Sequence, residues 1–269
     1  MLDLSSRTLI MGILNVTPDS FSDGGRFLNA PEAVLNGVRM VEEGADILDV
    51  GGESTRPGSE PVPLEEESRR VLPVIEGLAK RVKVPLSIDT TKSQVAERAL
   101  QAGASMVNDT SGLTDDLQTA SVAARHGAAL VLMHRKGVPK VMQADPRYAD
   151  LMGEIFAFLR QSIWMAQDAG VGEDQIAIDP GIGFGKTLEH NLFLLKHLTE
   201  LSVLGKPILI GPSRKSFIGR ILNLPVEDRL EGTAAAVTAA VLNGAALVRV
   251  HDVKEMVRVI RVADAIRRA

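Results

Sequence analysis

Amphipathic stretches alternate along this chain with short apolar runs, and the change is marked repeatedly in the same way: Gly-Ala, an apolar run, then a polar residue or a glycine. The pattern begins at Gly44 (GADILDVGGE), Gly103 (GASMVNDTSG), Gly127 (GAALVLMH) and Gly244 (GAALVRVH), where each glycine suits a helix end in the left-handed conformation. Ile176-Ala177-Ile178-Asp179 and the runs at 85–89 and 207–211 are variants, and residues 8–14 supply a strand with no helix ahead of it, for eight strands in all. Helical patterns such as 33–43 and 93–101 lie between them. The strands are apolar on both faces, as parallel strands covered by helices are. Alternating β and α with eight strands predicts an α/β fold, a single (β/α)8 TIM barrel forming one domain over residues 1–269. A doubly wound open sheet is the alternative, but its usual Gly-rich turn after the first strand is replaced here by Asn15-Val16-Thr17-Pro18-Asp19. Two long connections, 15–28 after the first strand and 51–63 after the second, are rich in Gly, Pro and Ser, and loops of that length are often functional.

Composition leaves this picture intact and narrows the partners. A length of 269 residues suits one such barrel, and 45% hydrophobic with 24% charged residues is ordinary globular usage. A net charge of -4 supplies no basic field for a phosphate backbone, so no nucleic acid partner is expected. With no cysteine, disulfides and thiolate ligands are excluded, and any metal must take oxygen or imidazole ligands. There is no signal-like start and no apolar run near the ~18 residues of a membrane span, so a soluble cytoplasmic protein without a membrane partner is expected.

Barrels of this kind gather their chemistry at the carboxyl ends of the strands. Here those ends read Asn15, Asp49 with Glu53, Asp89, Asn108-Asp109, His134, Asp179, Ser213-Arg214-Lys215, and Arg249 with His251. Any one Asp or Asn among them is as readily a helix cap or a turn tie, but polarity at every end is harder to assign to capping. Asp89, Asn108 and Asp179 suit a ring with several N–H donors and acceptors, because each buried unpaired polar atom costs about 1–3 kcal/mol. Arg249 and His251 are two apart on the last strand and point the same way, and with Ser213 they lie where barrels commonly bind phosphate. The competing assignment for Arg249 is an ion pair with a neighbouring carboxylate. Residues 182–186 are either a flexible loop or a close backbone approach to a flat ligand, with Phe184 stacking on it. His134 is at least as readily structural as functional, and His126, His190 and His197 fall in or near helices and receive no role. Residues 254–268 read as a closing helix with a solvated basic face.

Seven segments carry a family resemblance: MGILNVTPDSFSDGG from Met11, DVGGESTRPG from Asp49, SIDT from Ser87, VND from Val107, DPGIGFGK from Asp179, SRKS from Ser213 and RVHDV from Arg249. The first two, in this order, are highly specific, and the chain resembles the dihydropteroate synthase family over essentially its whole length. That resemblance implies a transferase of folate biosynthesis, a sulfonamide target, which condenses 6-hydroxymethyl-7,8-dihydropterin diphosphate with p-aminobenzoate. It implies a pterin pocket of Asp89, Asn108, Met133, Asp179, Gly183 and Lys215. A diphosphate end would comprise Asn15, Arg249 and His251, with Mg2+ as the cofactor held by Asn15 and phosphate oxygens. Thr55, Arg56, Pro57, Phe184 and Ser213 would receive p-aminobenzoate. Lys215, Asp89, Asp179, Asp23 and Arg56 are then the catalytic candidates, with Asp23 and Arg56 paired beside a pterin cation that forms as diphosphate leaves early. The resemblance also implies a homodimer through outer helices. One departure is Arg135-Lys136-Gly137 after Met133-His134, where many members carry Met or Gln. Three rivals stand against this assignment: a methyl-transferring member of the wider pterin-binding group, a catalytically silent pterin-binding barrel, and an unrelated barrel acting on a phosphorylated metabolite. The first has no use for a diphosphate clamp, the second no need of Asn15, Arg249 and Lys215, and the third leaves the two signature loops unexplained.

Overall fold

A computed structural model describes residues 6–17, 30–54, 58–138 and 140–269. Strands and helices alternate as β1 (Leu9–Asn15), α1 (Ala30–Glu42), β2 (Ile47–Gly51), α2 (Leu64–Ala79), β3 (Leu86–Asp89), α3 (Ser93–Gln101), β4 (Met106–Asp109) and α4 (Gln118–His126). The chain continues through β5 (Ala129–Met133), α5 (Leu151–Asp168), β6 (Ile176–Asp179), α6 (Leu188–Lys196), β7 (Leu209–Ile210), α7 (Ser216–Leu222), α8 (Leu230–Leu242), β8 (Leu247–Val250) and α9 (Val253–Arg268). All pairings are parallel, in the order β6-β5-β4-β3-β2-β1-β8-β7. A parallel bridge between Ile178 and Ile208 joins β6 to the approach to β7 and closes the sheet into a barrel.

The period of two along each strand divides its side chains between two cores. Leu9, Met11, Ile47, Met106, Val131, Ala177, Leu209 and Leu247 pack together inside the barrel. The alternate residues, among them Ile10, Leu48, Ile88, Val107, Ile178 and Val248, pack outward under the helices. Two residues further along each strand, the inward set therefore arrives at Asp49, Asn108, Met133, Asp179 and Arg249, at the carboxyl ends. At the opposite end α9 pins the start of β1, where the Thr8 N–H and hydroxyl each donate to the buried Asp264 at 2.9 Å.

The expected glycine stops are found: Gly44, Gly103, Gly127 and Gly244 have φ of 110, 116, 61 and 95°. The strand expected over 207–211 is shorter, reduced to Leu209–Ile210, because Pro207 has no N–H to give a ladder. Two helices rather than one separate β7 from β8. The short α7 ends on Asn223, which is left-handed at φ 54°, and Pro225 follows. Among the described residues no helix is long and apolar enough to cross a membrane.

Candidate active site

The inward ends of β2, β3 and β4 meet around one cation carried by β8. Arg249 donates from Nε to Asp49 Oδ2 at 2.6 Å and from Nη2 to Asp89 Oδ2 at 2.7 Å, and Asn108 Nδ2 donates to the same Asp49 oxygen at 2.9 Å. The ion pair weighed against an anion-binding role for Arg249 is thus present in the unliganded chain. Asp49 is fully buried and Asp89 is 6% exposed, yet among the described residues Oδ1 of each has no hydrogen-bond partner. An unpaired buried carboxylate oxygen is costly, so the pocket suits a further donor beyond those of the described residues. Burial pushes the Asp89 carboxyl up to about 7 despite the opposing Arg249 charge, with Asp49 adding repulsion. Burial likewise raises Asp179 to about 6, against the Gly181 N–H that donates to its Oδ1 at 2.6 Å and the Lys215 charge. Asn108 is separated in role from its neighbour Asp109, whose carboxylate faces outward and ties the following turn through Ser111 N, Ser111 Oγ and Leu113 N.

Lys215 reaches this group from the β7 side. The preceding residues are locked: Ser213 Oγ lies 3.0 Å from His251 Nδ1 and accepts the His251 N–H at 3.2 Å. Arg214 adopts a left-handed φ of 55°, pairs through Nε with Asp252 at 2.9 Å and donates its N–H to Thr233 Oγ1 at 3.0 Å. Arg214 is therefore a clamp on α8 and the start of α9, a task invisible in the Ser-Arg-Lys string. The clamp leaves Lys215 Nζ 4.0 Å from the centroid of the Phe184 ring. Burial and the Arg249 charge bring the Lys215 ammonium down to about 8.

Phe184 rides on a loop in which Gly181, Gly183 and Gly185 all have left-handed φ. Gly181 could carry no side chain, since a Cβ there would stand 1.9 Å from the His134 carbonyl oxygen. A Cβ on Gly183 would press on Lys215 Cδ at 3.1 Å. Met133 and Phe184 pack together with Met142. Beneath the loop Lys186 Nζ lies 3.0 Å from Nδ1 of His134, and burial with the Lys186 charge holds that imidazole neutral, down to about 2. Burial also lowers Lys186, to about 7. His134 is accordingly part of the wall, as its structural alternative had it.

Asn15 ends β1 beside Gly51, and a point at the missing Gly51 Cβ lies 3.8 Å from Asn15 Oδ1 and 3.6 Å from Asp89 Oδ2. Among the described residues no group of three His, Cys, Asp or Glu side chains could hold a metal. One amide oxygen beside a carboxylate fits a hard cation that takes most ligands from phosphate and water, which is the habit of Mg2+. Asp23, Thr55, Arg56 and Pro57, all expected at the site, lie outside the described residues. The residues that sequence reasoning passed over are Asp49, which it noted only as a strand end, and the pair at 2.6 Å between half-buried Lys92 and buried Glu67, which with Glu53 braces the end of β2. His197 is remote and pairs with Glu200 at 2.8 Å, and His190 completes a capping box with Thr187.

Residues 11–251 match the family model described as pterin binding enzyme. A dihydropteroate synthase of Synechocystis is 51% identical over 99% of this chain and 92% of its own length. The structure of a Yersinia pestis dihydropteroate synthase with a sulfonamide drug complex superposes with a TM-score of 0.94 at 46% identity, covering 100% of this chain and 97% of that one. A Xanthomonas albilineans dihydropteroate synthase in complex with 7,8-dihydropteroate gives a TM-score of 0.89 at 42% identity, covering 100% and 96%.

Proposed function

Because the chain belongs to the pterin-binding enzyme family, among the dihydropteroate synthases, we propose that its barrel mouth condenses 6-hydroxymethyl-7,8-dihydropterin diphosphate with p-aminobenzoate. The products are 7,8-dihydropteroate, which the Xanthomonas relative binds, and diphosphate. The observation that carries this assignment is Asp89, buried with an Oδ1 that is unpaired among the described residues, at a strand end whose neighbour in register is Asn108. The pyrimidine edge of a pterin brings N–H donors for Asp89 and Asp179 and an acceptor for Asn108. Met133 and Gly183 flank the ring, and Lys215 reaches its polar edge.

The amine nitrogen bonds to the pterin methylene carbon, the C–O bond breaks with its electron pair leaving on the diphosphate, and the new secondary amine loses a proton to solvent or diphosphate. Early C–O cleavage places positive charge on the pterin, which ionised Asp89 and Asp179 stabilise in place. Ring N–H groups that engage Asp89 compete with Arg249 for it and turn that guanidinium toward the diphosphate, where His251, oriented by Ser213, faces the same charge. Mg2+, where Asn15 Oδ1 and phosphate oxygens hold it, would neutralise charge on the leaving group. Phe184 and Ser213, with Thr55, Arg56 and Pro57, receive p-aminobenzoate, and Asp23 with Arg56 completes the cover over the cation. A sulfonamide, sharing the arylamine shape, is expected to compete for that subsite. The assay supplies both substrates with and without Mg2+ and follows both products. Metal-dependent appearance of dihydropteroate and diphosphate in equal amounts is expected, whereas pterin binding with neither product would favour the silent binder.

The same reading includes a cytoplasmic homodimer. Its support is an apolar groove between α6, α7 and α8, rimmed by Leu192, Ile221 and Leu222, of which Ile221 is 55% exposed. Exposed apolar patches of this kind mark interfaces, and a second copy is the occupant we assign. Sedimentation should show a dimer that Ile221→Glu converts to a monomer; a wild-type monomer at micromolar concentration would remove it.

A further inference from the structure

Three consecutive carbonyls of the loop that carries Phe184 are each taken by a side-chain donor. Gln143 Nε2 donates to Gly183 O, Lys186 Nζ to Phe184 O at 3.1 Å, and the Tyr148 hydroxyl to Gly185 O at 2.8 Å. The Gly183 N–H is engaged as well, by Asn191 Oδ1 at 2.7 Å. No regular secondary structure does this. With Gly183 and Gly185 at φ 80 and 64°, the peptide planes here have little intrinsic preference, so the donors decide which way they face.

The donors themselves are held. Lys186 is 3% exposed, with its ammonium against the His134 imidazole. The Tyr148 ring meets His190 edge-on at 5.1 Å and has Lys136 Nζ 4.1 Å from its centroid. Gln143 follows Met142, which packs on Met133 and Phe184. Gln143 and Tyr148 both belong to the connection between β5 and α5, so that segment and the glycine loop form one unit behind the aromatic ring that Lys215 faces.

We infer that Gln143, Tyr148 and Lys186 are positioning residues for the arylamine half of the site: they fix the loop, and so the Phe184 ring, without touching substrate. The inference rests on the proposed condensation. It predicts a selective effect. Loosening the loop should weaken capture of p-aminobenzoate more than capture of the pterin, whose polar partners Asp89, Asn108 and Asp179 stand on the strand ends of β3, β4 and β6 and which meets the loop only at Gly183.

The test uses Tyr148→Phe and Gln143→Leu, singly and together, both at half-buried positions where folding should survive, with Lys186→Met as a deeper variant. In the double variant KM for p-aminobenzoate should rise about tenfold while KM for the pterin diphosphate stays within about twofold, from the loss of two hydrogen bonds. Amide hydrogen exchange over residues 183–186, measured without substrate, should quicken by about tenfold. A merely structural role would instead lower Tm and kcat with no split between the substrates, and that result overturns the inference. So does faster exchange with both KM values unmoved, or unchanged exchange. No product from the wild-type chain would overturn the condensation and this inference with it, whereas normal wild-type turnover with unselective variants overturns the inference alone.

Discussion

Replacing Arg249 by Met tests whether the unliganded site is held together by charge. The guanidinium neutralises two carboxylates, Asp49 and Asp89, at 2.6 and 2.7 Å, and among the described residues neither has a partner on its other oxygen. Methionine matches much of the volume but leaves two buried like charges facing one another, with the Asn108 amide still donating to Asp49. Breaking a buried pair from one side costs about 3–5 kcal/mol, or about 6–20 °C in Tm for a chain of this size. The deficit has a pH signature. Asp89 already titrates at about 7, because burial outweighs the Arg249 charge that lowers it, so loss of Arg249 moves it above 7. A carboxyl whose folded pKa exceeds its unfolded value near 3.9 takes up a proton more readily when folded. Stability therefore falls as pH rises between those two values and levels off above the folded one. For the wild type that decline ends near 7, whereas the variant continues to lose about 1.4 kcal/mol per pH unit beyond it. Urea unfolding at pH 6, 7 and 8 should show Arg249→Met less stable throughout, with the gap widening from pH 7 to 8. Adding Asp49→Asn should recover part of the loss. Equal stability of the two proteins, or a gap that narrows as pH rises, would refute an electrostatic keystone at this position.

Other consequences are separable from that one. Lys215→Ala should lower kcat/KM by about 10²–10³ with Tm little changed, since the side chain is a donor to the site and not part of the core; full activity would undo its assignment. Gly181→Ala should destabilise by at least about 2 kcal/mol and depress turnover, because its Cβ would stand 1.9 Å from a backbone oxygen on a residue at φ 71°; differential scanning calorimetry and the product assay read the two effects. His197→Ala removes a half-exposed pair with Glu200 and should leave kcat/KM unchanged and stability within about 0.5 kcal/mol, so a measurable loss of turnover would show that the site extends to α6.

The barrel was legible because two periodicities are written side by side in the chain. Gly-Ala stops separate 3.6-residue patterns from apolar runs, and α3 at Ser93–Gln101 and β6 at Ile176–Asp179 fall where those signals put them. The polar strand ends followed from the same logic: stepping by two from Met106 or Ala177 leads to Asn108 and Asp179. The second helix between β7 and β8 was missed, since Asn223 makes a left-handed stop without the glycine that marked the others. Burial was also hard to foresee. Lys186 reads as the polar end of a glycine motif, and only packing of the β5–α5 connection over it reveals an ammonium 3% exposed.

Asp49 and Arg249 illustrate why a site's wiring resists sequence reasoning even when its members are visible. They stand 200 residues apart, with no local pattern linking them. They meet because β1 pairs with β2 on one side and β8 on the other, with Ile13 opposite Asp49 and Met11 opposite Arg249. Under the proposed condensation the two assignments weighed for Arg249, ion pair or anion ligand, cease to compete. A barrel mouth that keeps carboxylates for a ring's N–H groups must neutralise them when no ring is bound, and a cation already needed for a leaving anion is the economical choice. Under the proposed condensation, arrival of the ring would supply Asp89 with new donors and loosen its hold on the guanidinium at the moment a diphosphate comes with it. Binding of a pterin lacking the diphosphate should therefore leave Arg249 underpaired and be weaker than binding of the pterin together with free diphosphate. Calorimetric titration of each alone and of both together measures that coupling, and strictly independent binding would rule it out.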